Sequence, residues 1–147
     1  MIILELYNPD KEYDSDCIIA PLSSTYRGTK LIKKGTTFSN VDGSLNDKNP
    51  YSAPWIGIMR LVYDVLRVNS QDLNNCCATP YYYNWEDEEF DRMHSGDVVG
   101  GHVYIAEGDD VFLLPICISH NNLNSEMGYM MLERDILAIE LADCILN

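Results

Sequence analysis

A cysteine and a histidine lie three residues apart in the segment Cys117-Ile118-Ser119-His120, which follows an apolar run. A thiolate and an imidazole at this spacing can reach one metal ion, and Zn²⁺ takes four such ligands in tetrahedral geometry. The sequence therefore predicts that two more ligands come from elsewhere in the chain. The alternative is that Cys117 is a small hydrophobe and that His120 lies in a plain turn before two asparagines.

A predicted β-hairpin leads into this pair. Val98 to Ile105 is β-prone, Gly108 to Asp110 is a turn signal, and Val111 to Leu114 is the returning arm. The first arm contains Gly100 and Gly101, which mark either a bulge or a close approach of another backbone. His102, which follows them beside Val103, fits a buried imidazole that is bonded to a carbonyl.

Negative charge is concentrated in the second half of the chain. Residues 69–147 contain fifteen Asp and Glu but only two basic residues, Arg92 and Arg134, whereas residues 1–68 contain eight of each sign. The formal net charge of -13 therefore lies in the second half. Such a surface repels a phosphate backbone. The sequence argues against direct nucleic-acid binding and for a basic protein partner.

Aromatic and acidic residues adjoin within that acidic half. Three tyrosines and a tryptophan stand within five residues and are followed at once by an acidic run. Aromatic side chains supply contact area, and carboxylates steer a basic partner toward them. The alternative is an exposed acidic loop or helix start whose aromatics are tucked inward. The predicted partner-binding residues are Tyr81, Tyr82, Tyr83, Trp85, Glu86, Asp87, Glu88, Glu89 and Asp91.

The remaining pattern predicts a single α+β domain over residues 1–147, with a hairpin-rich antiparallel sheet and one long helix. Ser52 is the candidate N-cap of that helix, and an apolar stripe runs through it at helical spacing. Strands are expected near residues 2–7 and 17–20. Residues 23–48 are expected to form a long surface loop with one short strand near Thr37 and Phe38, and residues 136–146 fit either a strand or a helix. The stripe consists of Trp55, Ile58, Met59, Val62 and Leu66.

The order of these motifs resembles the treble-clef core of HNH-type proteins, in particular small bacterial and phage members. The resemblance runs from Cys76 to Asn122 and depends on the Gly-Gly-His-Val arm and on the hairpin exit Leu-Pro-Ile-Cys-Ile-Ser-His-Asn. It implies a zinc ion held by a first knuckle and a second knuckle, with His102 as the general base that activates water and Asn121 near a catalytic ion. The implied zinc ligands are Cys76, Cys77, Cys117 and His120.

The chain departs from that family at both knuckles. His120 stands where a second cysteine is usual, which zinc tolerates because imidazole binds it well. Cys76 and Cys77 are adjacent and can both reach one ion only with local strain, so one of them is the ligand while His94 or His102 completes the set. The segment after Asn122 also lacks the lysine with which a nuclease would hold phosphate.

Composition sets the remaining expectations. Five cysteines at irregular spacing, Cys144 among them, do not suggest a disulfide framework. No apolar run approaches the roughly 18 to 20 residues needed to span a bilayer, and the N-terminal residues lack a basic region with a cleavage site. We expect a soluble, cytoplasmic protein without a membrane partner.

These observations favour one function over two others. The leading hypothesis is a small, acidic, non-catalytic interaction protein that binds and inhibits a basic partner, such as a nucleic-acid-processing enzyme of a host-defence or toxin system. The alternative is a metal-dependent HNH-like nuclease that uses His102 and Asn121. A third hypothesis is a structural subunit in which Tyr81 to Trp85 form a permanent interface.

Overall fold

The computed structural model describes residues 3–6, 17–20, 26–42, 54–123 and 125–141, with backbone alone for the first two ranges and for residues 26 and 27. The protein is α+β and mostly strand. In chain order, the elements are β1 (Ile3–Leu6), β2 (Cys17–Ala20), β3 (Tyr26–Ile32), β4 (Thr37–Asn40), α1 (Trp55–Val65), a 3-10 turn (Ser70–Leu73), β5 (Ala78–Asn84), β6 (Glu89–Arg92), β7 (Val98–Ile105), β8 (Val111–Cys117), α2 (Ile118–Asn121), β9 (Gly128–Leu132) and β10 (Ile136–Leu141).

Eight of the strands form one antiparallel sheet in the order β3-β10-β8-β7-β4-β9-β5-β6, while β1 and β2 form a separate parallel pair. The sheet curls so strongly that its third and seventh strands meet. At that point the backbone N–H of Cys77, just before β5, donates to the carbonyl of Pro115 in β8 at 2.8 Å. The curl therefore brings the start of β5 against the end of β8, although three strands, β7, β4 and β9, separate them along the sheet.

Strand β8 is the centre of the hydrophobic core, and all seven of its residues are buried. Side chains alternate between the two faces of a strand. Accordingly, Leu114 and Ile116 pack in one cluster with Phe38, whereas Leu113 packs in a second cluster with Met59 of α1. Burial on both faces explains why this segment is apolar almost throughout instead of alternating with polar residues.

Helix α1 covers one face of the sheet. Its apolar stripe is confirmed, because Ile58, Met59 and Val62 are buried. The helix has 11 residues and is shorter than the long helix that we expected. It ends because Arg67 adopts a left-handed backbone conformation with φ 56°. The predicted N-cap, Ser52, lies outside the described residues.

The two glycines of β7 are explained by packing. A Cβ atom at Gly100 would lie 2.8 Å from backbone atoms of Trp55 and Ile56, and one at Gly101 would collide with the side chain of Ile116. Only a residue without a side chain permits these approaches. The interpretation as a close approach of another backbone is therefore confirmed for Gly100, which lets α1 lie directly against β7, whereas Gly101 makes room for the side chains of Ile116 and Asn121.

The structure corrects one expectation about the fold, decides between two alternatives in a second and does not show a third. Residues 26–32 form a strand and not a loop, because the backbone of β3 pairs with β10 at the sheet edge, where polar side chains are tolerated. Residues 136–141 are a strand, paired on both sides by β3 and β8. A treble-clef core is not shown, because Cys76 and His94 flank a hairpin instead of sharing one knuckle, and α2 has only four residues.

Among the described helices, none combines the length and the apolar character that crossing a membrane requires. Cys144, the last of the five cysteines, lies outside the described residues.

Candidate metal centre and aromatic hairpin

Four potential metal ligands converge where the curled sheet meets itself. The ligand atoms of Cys76, His94, Cys117 and His120 all lie within 4.8 Å of one another. Cys76, Cys117 and His120 are buried, whereas His94 is exposed. We call these four residues the Cys2His2 group, and it could hold a metal ion.

The four residues come from three separate segments. Cys76 lies just before β5, His94 lies just after β6, and Cys117 and His120 lie at the junction of β8 and α2. Strands β5 and β6 form an antiparallel hairpin between the first two. Both ends of the hairpin, at its base, therefore contribute one residue each to the group. The β8–α2 junction contributes the other two.

The distances within the group are short. The Sγ atom of Cys117 lies 2.9 Å from Nδ1 of His120 and 3.8 Å from Nδ1 of His94. The Sγ atom of Cys76 lies 3.6 Å from the same Nδ1 of His120. The two imidazole rings meet edge to face with their centroids 5.3 Å apart. Both thiols and both Nδ1 atoms thus point at one small volume.

Burial and hydrogen bonding set the protonation of the group. Burial raises the pKa of the Cys76 thiol, and the neighbouring Cys117 adds to the rise. Burial acts in the same direction on Cys117, but the His120 backbone N–H, the Ser119 hydroxyl and the Ser95 backbone N–H outweigh it and hold the pKa of Cys117 below its ordinary value. Burial and then the adjacent His94 lower the pKa of His120 to about 4. A neutral imidazole is the form that binds metals.

Asn40 on β4 fixes the position of His120. Its Nδ2 donates to the carbonyls of His120 and Leu123 at 2.6 Å each, and to that of Asn121 at 3.3 Å. The last carbonyls of a helix have no partner within the helix, so Asn40 satisfies those of α2. This buried amide ties the β8–α2 junction to the middle of the sheet.

A pair of serines holds the loop that carries His94. The backbone N–H of Ser95 donates to Oγ of Ser119 at 2.7 Å, and that hydroxyl donates to the Ser95 carbonyl at 2.9 Å. The backbone N–H of Ile118 also donates to the carbonyl of Asp97 at 3.0 Å. The loop is thereby fastened against the first turn of α2, which brings His94 to the group although it is exposed.

Arg134 holds the segment that carries Cys76. Its guanidinium donates to the backbone carbonyls of Cys76 at 2.8 Å, Asp72 at 2.6 Å and Asn75 at 2.7 Å. The planar guanidinium holds its N–H donors in a fixed arrangement, so one side chain can bind several carbonyls at once. One of the two basic residues of the acidic half is therefore used to shape the chain next to a ligand.

The sequence prediction and the structure agree on three of the four members of the group. Cys77 is not one of them, because neighbouring residues in extended chain point to opposite sides. Its thiol is fully buried, and burial raises its pKa. His94 takes the fourth place, as one of the two alternatives that the sequence left open. Its only sequence signal is its residue type, since the curl that brings it close is not visible in the sequence.

The residues assigned to nuclease chemistry lie elsewhere. His102 on β7 is 4% exposed, and its ring meets that of Trp55 edge to face with centroids 4.9 Å apart. Asn121 follows His120 in α2, and its Oδ1 lies beside Gly101. A side chain packed under α1 is shielded from the water that a general base must activate.

The tip and one face of the β5–β6 hairpin are aromatic and exposed. Trp85 is 53% exposed and Phe90 59%. Tyr83 lies at the centre of this cluster, with ring centroids 5.4 Å from Trp85, 5.2 Å from Phe90 and 5.1 Å from Tyr129 of β9. We call the rings of Tyr81, Tyr83, Phe90 and Tyr129 the aromatic face. Within the predicted partner-binding residues, Tyr82 differs, because it points into the core.

The carboxylates of the hairpin gather at its tip and on its other side. The Nδ2 atom of Asn84 donates to Asp91 at 2.9 Å and to Asp87 at 3.2 Å. Glu86, Asp87, Glu88 and Glu89 are all exposed. Loss of hydration and the nearby carboxylates, Asp91 first, raise the pKa of Asp87. The negative charges are therefore crowded, and the described part of the hairpin exposes aromatics and carboxylates together.

Comparison of the chain with protein-family models, with curated proteins and with solved structures finds no match.

Proposed function

We propose that the Cys2His2 group binds one Zn²⁺ ion as a structural site. Zinc binds sulfur at about 2.3 Å and imidazole nitrogen at about 2.0–2.1 Å, so the edges of its coordination tetrahedron measure roughly 3.3–3.8 Å. The distances of 3.6 and 3.8 Å within the group fit such edges, whereas the 2.9 Å between Cys117 Sγ and His120 Nδ1 would have to lengthen by roughly half an ångström when the ion binds. Four protein ligands also leave no open position for substrate, which is typical of structural zinc and not of catalytic zinc.

The position of the ion gives it a mechanical role. Cys76 and His94 lie at the two feet of the β5–β6 hairpin, and the other two ligands belong to the β8–α2 junction. Within the described sheet, β6 pairs with β5 alone. Strand β5 in turn pairs with β9, but that pairing is irregular between Ala78 and Tyr82, at the base of the hairpin. Zinc would therefore fasten this hairpin to the rest of the sheet.

The function that we propose is binding of a basic protein partner by the fastened hairpin. The observation that carries the proposal is the exposed aromatic cluster at the hairpin tip, bordered by four exposed carboxylates. Large exposed apolar groups mark interaction sites, and the net charge of -13 selects partners of opposite sign. A partner that normally binds nucleic acid has such a basic surface, and occupying that surface would inhibit it.

An HNH-like nuclease is supported less well. The proposed base, His102, is buried against Trp55, and the Cys2His2 group is built from protein ligands only. A substrate phosphate would also have to approach a strongly negative surface. Folds can outlast a chemistry that they once carried, so a non-catalytic role is compatible with the resemblance to this family.

The first experiment measures metal content by elemental analysis on protein purified without chelator or affinity metal. We expect about one zinc per chain. Cys117→Ser should lose the metal, and Cys77→Ala, a change of an equally buried cysteine outside the group, should retain it. Wild-type protein that stays free of zinc after incubation with zinc would refute the site.

The second experiment measures binding by fluorescence anisotropy with two probes, a cationic peptide and a DNA duplex. We expect the peptide to bind at low salt and to bind more weakly at physiological salt, because ions screen exposed charges. The duplex should not bind. Cleavage of the duplex in added Mg²⁺ or Mn²⁺, abolished by His102→Ala, would instead support the nuclease.

A further inference from the structure

A groove runs along the aromatic face, and the proposed function assigns no ligand to it. It has a volume of about 270 Å³, and its lining consists of Tyr81, Tyr83, Phe90 and Tyr129 together with Thr79, Tyr82, Met130 and Met131. Strand pairing builds it, because Tyr83 lies opposite Phe90 on one side and Tyr129 on the other. The rings thus come from three neighbouring, hydrogen-bonded strands of the sheet, so the fold itself builds the groove.

The rings leave surface for another group. Tyr83 and Tyr129 stack at an interplanar angle of 24°, while Phe90 meets Tyr83 at 71°. Tyr81 is 45% exposed and Phe90 59%. Aromatic faces carry partial negative charge and attract cations placed over them. The groove can therefore bind a flat cationic group as well as an apolar one.

The chain already places a guanidinium on this surface. The Cζ atom of Arg92 lies 5.9 Å from the centroid of the Tyr81 ring, which is within the range of a cation–π contact. Arg92 is the only basic residue in the hairpin and one of two in residues 69–147. The Tyr81 ring, which lines the groove, therefore already lies beside one guanidinium of this chain.

Charge decides between a neutral and a cationic occupant. The turn at the end of the groove carries Glu86, Asp87 and Glu88, and Glu89 begins the next strand. All four side chains are exposed, and they lie within a few residues of the aromatic face. Their field extends over about one Debye length, roughly 8 Å at physiological salt, and concentrates cations at the groove.

We propose that this groove binds an arginine side chain of the basic partner. The inference rests on the proposed function and adds the residue type that is recognised. Arginine is favoured over lysine because the guanidinium is planar, stacks on aromatic rings and is more weakly hydrated than an ammonium. The carboxylates attract both side chains alike, so the aromatic face supplies the selectivity between them.

The test compares two labelled peptides of equal length and equal charge, one with arginine and one with lysine at every basic position. The wild-type protein should bind the arginine peptide about 2- to 5-fold more tightly, the range for an exposed cation–π contact. Tyr81→Leu and Phe90→Leu keep apolar area but remove rings, so they should bring the ratio of the two affinities close to one. Phe90→Trp should preserve the ratio.

Leu31→Ser serves as the matched control. Leu31 is 53% exposed on β3, the strand at the other edge of the sheet, so this variant removes exposed apolar area far from the groove along the sheet. It should leave the ratio unchanged. Thermal melting of every variant would show whether it is folded, and an unfolded Tyr81→Leu would be replaced by Tyr81→Phe, which keeps the ratio if the ring is what matters.

Each outcome has a separate meaning. Equal binding of both peptides by the wild type would overturn the groove inference and leave the proposed function standing. Absence of binding by either peptide would overturn both. Self-association at the same concentrations, measured by sedimentation and abolished by Phe90→Leu, would assign the groove to a second copy of this chain and would also overturn the inference.

Discussion

The two ends of the β5–β6 hairpin differ in almost every physical respect. At the base, Cys76 is buried, and the segment that carries it is held by three hydrogen bonds from Arg134. At the tip, Trp85 and Phe90 are more than half exposed and crowded by carboxylates. One short hairpin therefore keeps two tasks at opposite ends. At the base, backbone carbonyls have hydrogen-bond partners, whereas at the tip large apolar side chains are exposed to solvent.

The separation has a physical reason. Exposed aromatics and crowded carboxylates at the tip contribute little to folding, and like charges oppose it. An edge hairpin with such a tip needs to be held elsewhere, and the hydrogen bonds and potential ligands at its base provide this. Four changes to the protein test whether base and tip act independently, and removal of metal should perturb the fold most.

Removal of metal should have the largest effect. With free zinc at about 100 times the dissociation constant, binding stabilises the fold by about 2.7 kcal/mol, which corresponds to roughly 5–10 °C in melting temperature for a chain of this size. A strong zinc chelator should lower the melting temperature by that amount, and Zn²⁺ but not Mg²⁺ should restore it. Hydrogen exchange should rise most in β5 and β6. An equal rise in β3 and β10 would contradict a role confined to the hairpin.

Arg134→Gln should have the next largest effect. It removes donors from the carbonyls of Cys76, Asp72 and Asn75, and changes of this kind around a metal site typically lower metal affinity about 10- to 100-fold. Competition with a chromophoric chelator would measure the affinity. Glu133→Gln, which changes the exposed ion-pair partner of Arg134, should leave it unchanged. A lower melting temperature with unaltered zinc affinity would show that Arg134 stabilises the fold without positioning Cys76.

Trp85→Ser should alter the tip and leave the base as it is. Because Trp85 is 53% exposed, we expect its loss to cost no more than about 1 kcal/mol in stability. Zinc affinity should stay within about 2-fold of the wild type, while binding of a cationic peptide should weaken because contact area is lost. A zinc affinity that falls as far as in Arg134→Gln would show that the base and the tip are coupled, and would contradict their independence.

Acidification should have the smallest effect on stability. Protonation should lower the stability contributed by one exposed turn and raise that contributed by another. The Lys34 backbone N–H, at 2.7 Å, and then Lys33 hold the pKa of Asp135 below its usual range. The stability from Asp135 is thus present above its ordinary pKa of about 3.9 and is lost as pH falls through the lower, folded value. Asp87 has a raised pKa, so its protonation on acidification relieves repulsion at the tip.

Melting temperatures between neutral pH and about pH 3 would test this difference. Asp135→Asn should remove part of the loss of stability at low pH, whereas Asp87→Asn should raise stability at neutral pH, most at low salt. Identical pH profiles for the two variants would show that the surroundings of these carboxylates do not matter.

The candidate site could be predicted only as far as its local spacing allowed. Cys117 and His120 are three residues apart, so the β8–α2 junction brings them together whatever the rest of the chain does. Cys76 could not be separated from Cys77 without knowing which side of the chain faces β8. His94 comes close because the sheet curls and because Ser95 bonds to Ser119, and neither cause leaves a pattern in the sequence.

The fold shows the same limit. The β7–β8 hairpin and the apolar face of α1 were predicted because turn residues and helical spacing are local signals. Strand β3 was missed, since an edge strand can be held by backbone pairing with β10 while its side chains remain polar. The strand order and the closure between Cys77 and Pro115 depend on contacts that are distant along the chain, and strand propensities do not encode such contacts.

The bond from Cys77 to Pro115 also bears on the folding kinetics of the chain. It closes a long loop between sheet positions that no hairpin connects, and contacts of this kind form slowly because the entropy of loop closure is lost before they stabilise anything. A zinc knuckle made of neighbouring residues can capture its ion in the unfolded chain. Here the four members of the Cys2His2 group come together only after that closure, so the proposed zinc uptake, followed during refolding, should report when the curled sheet is completed.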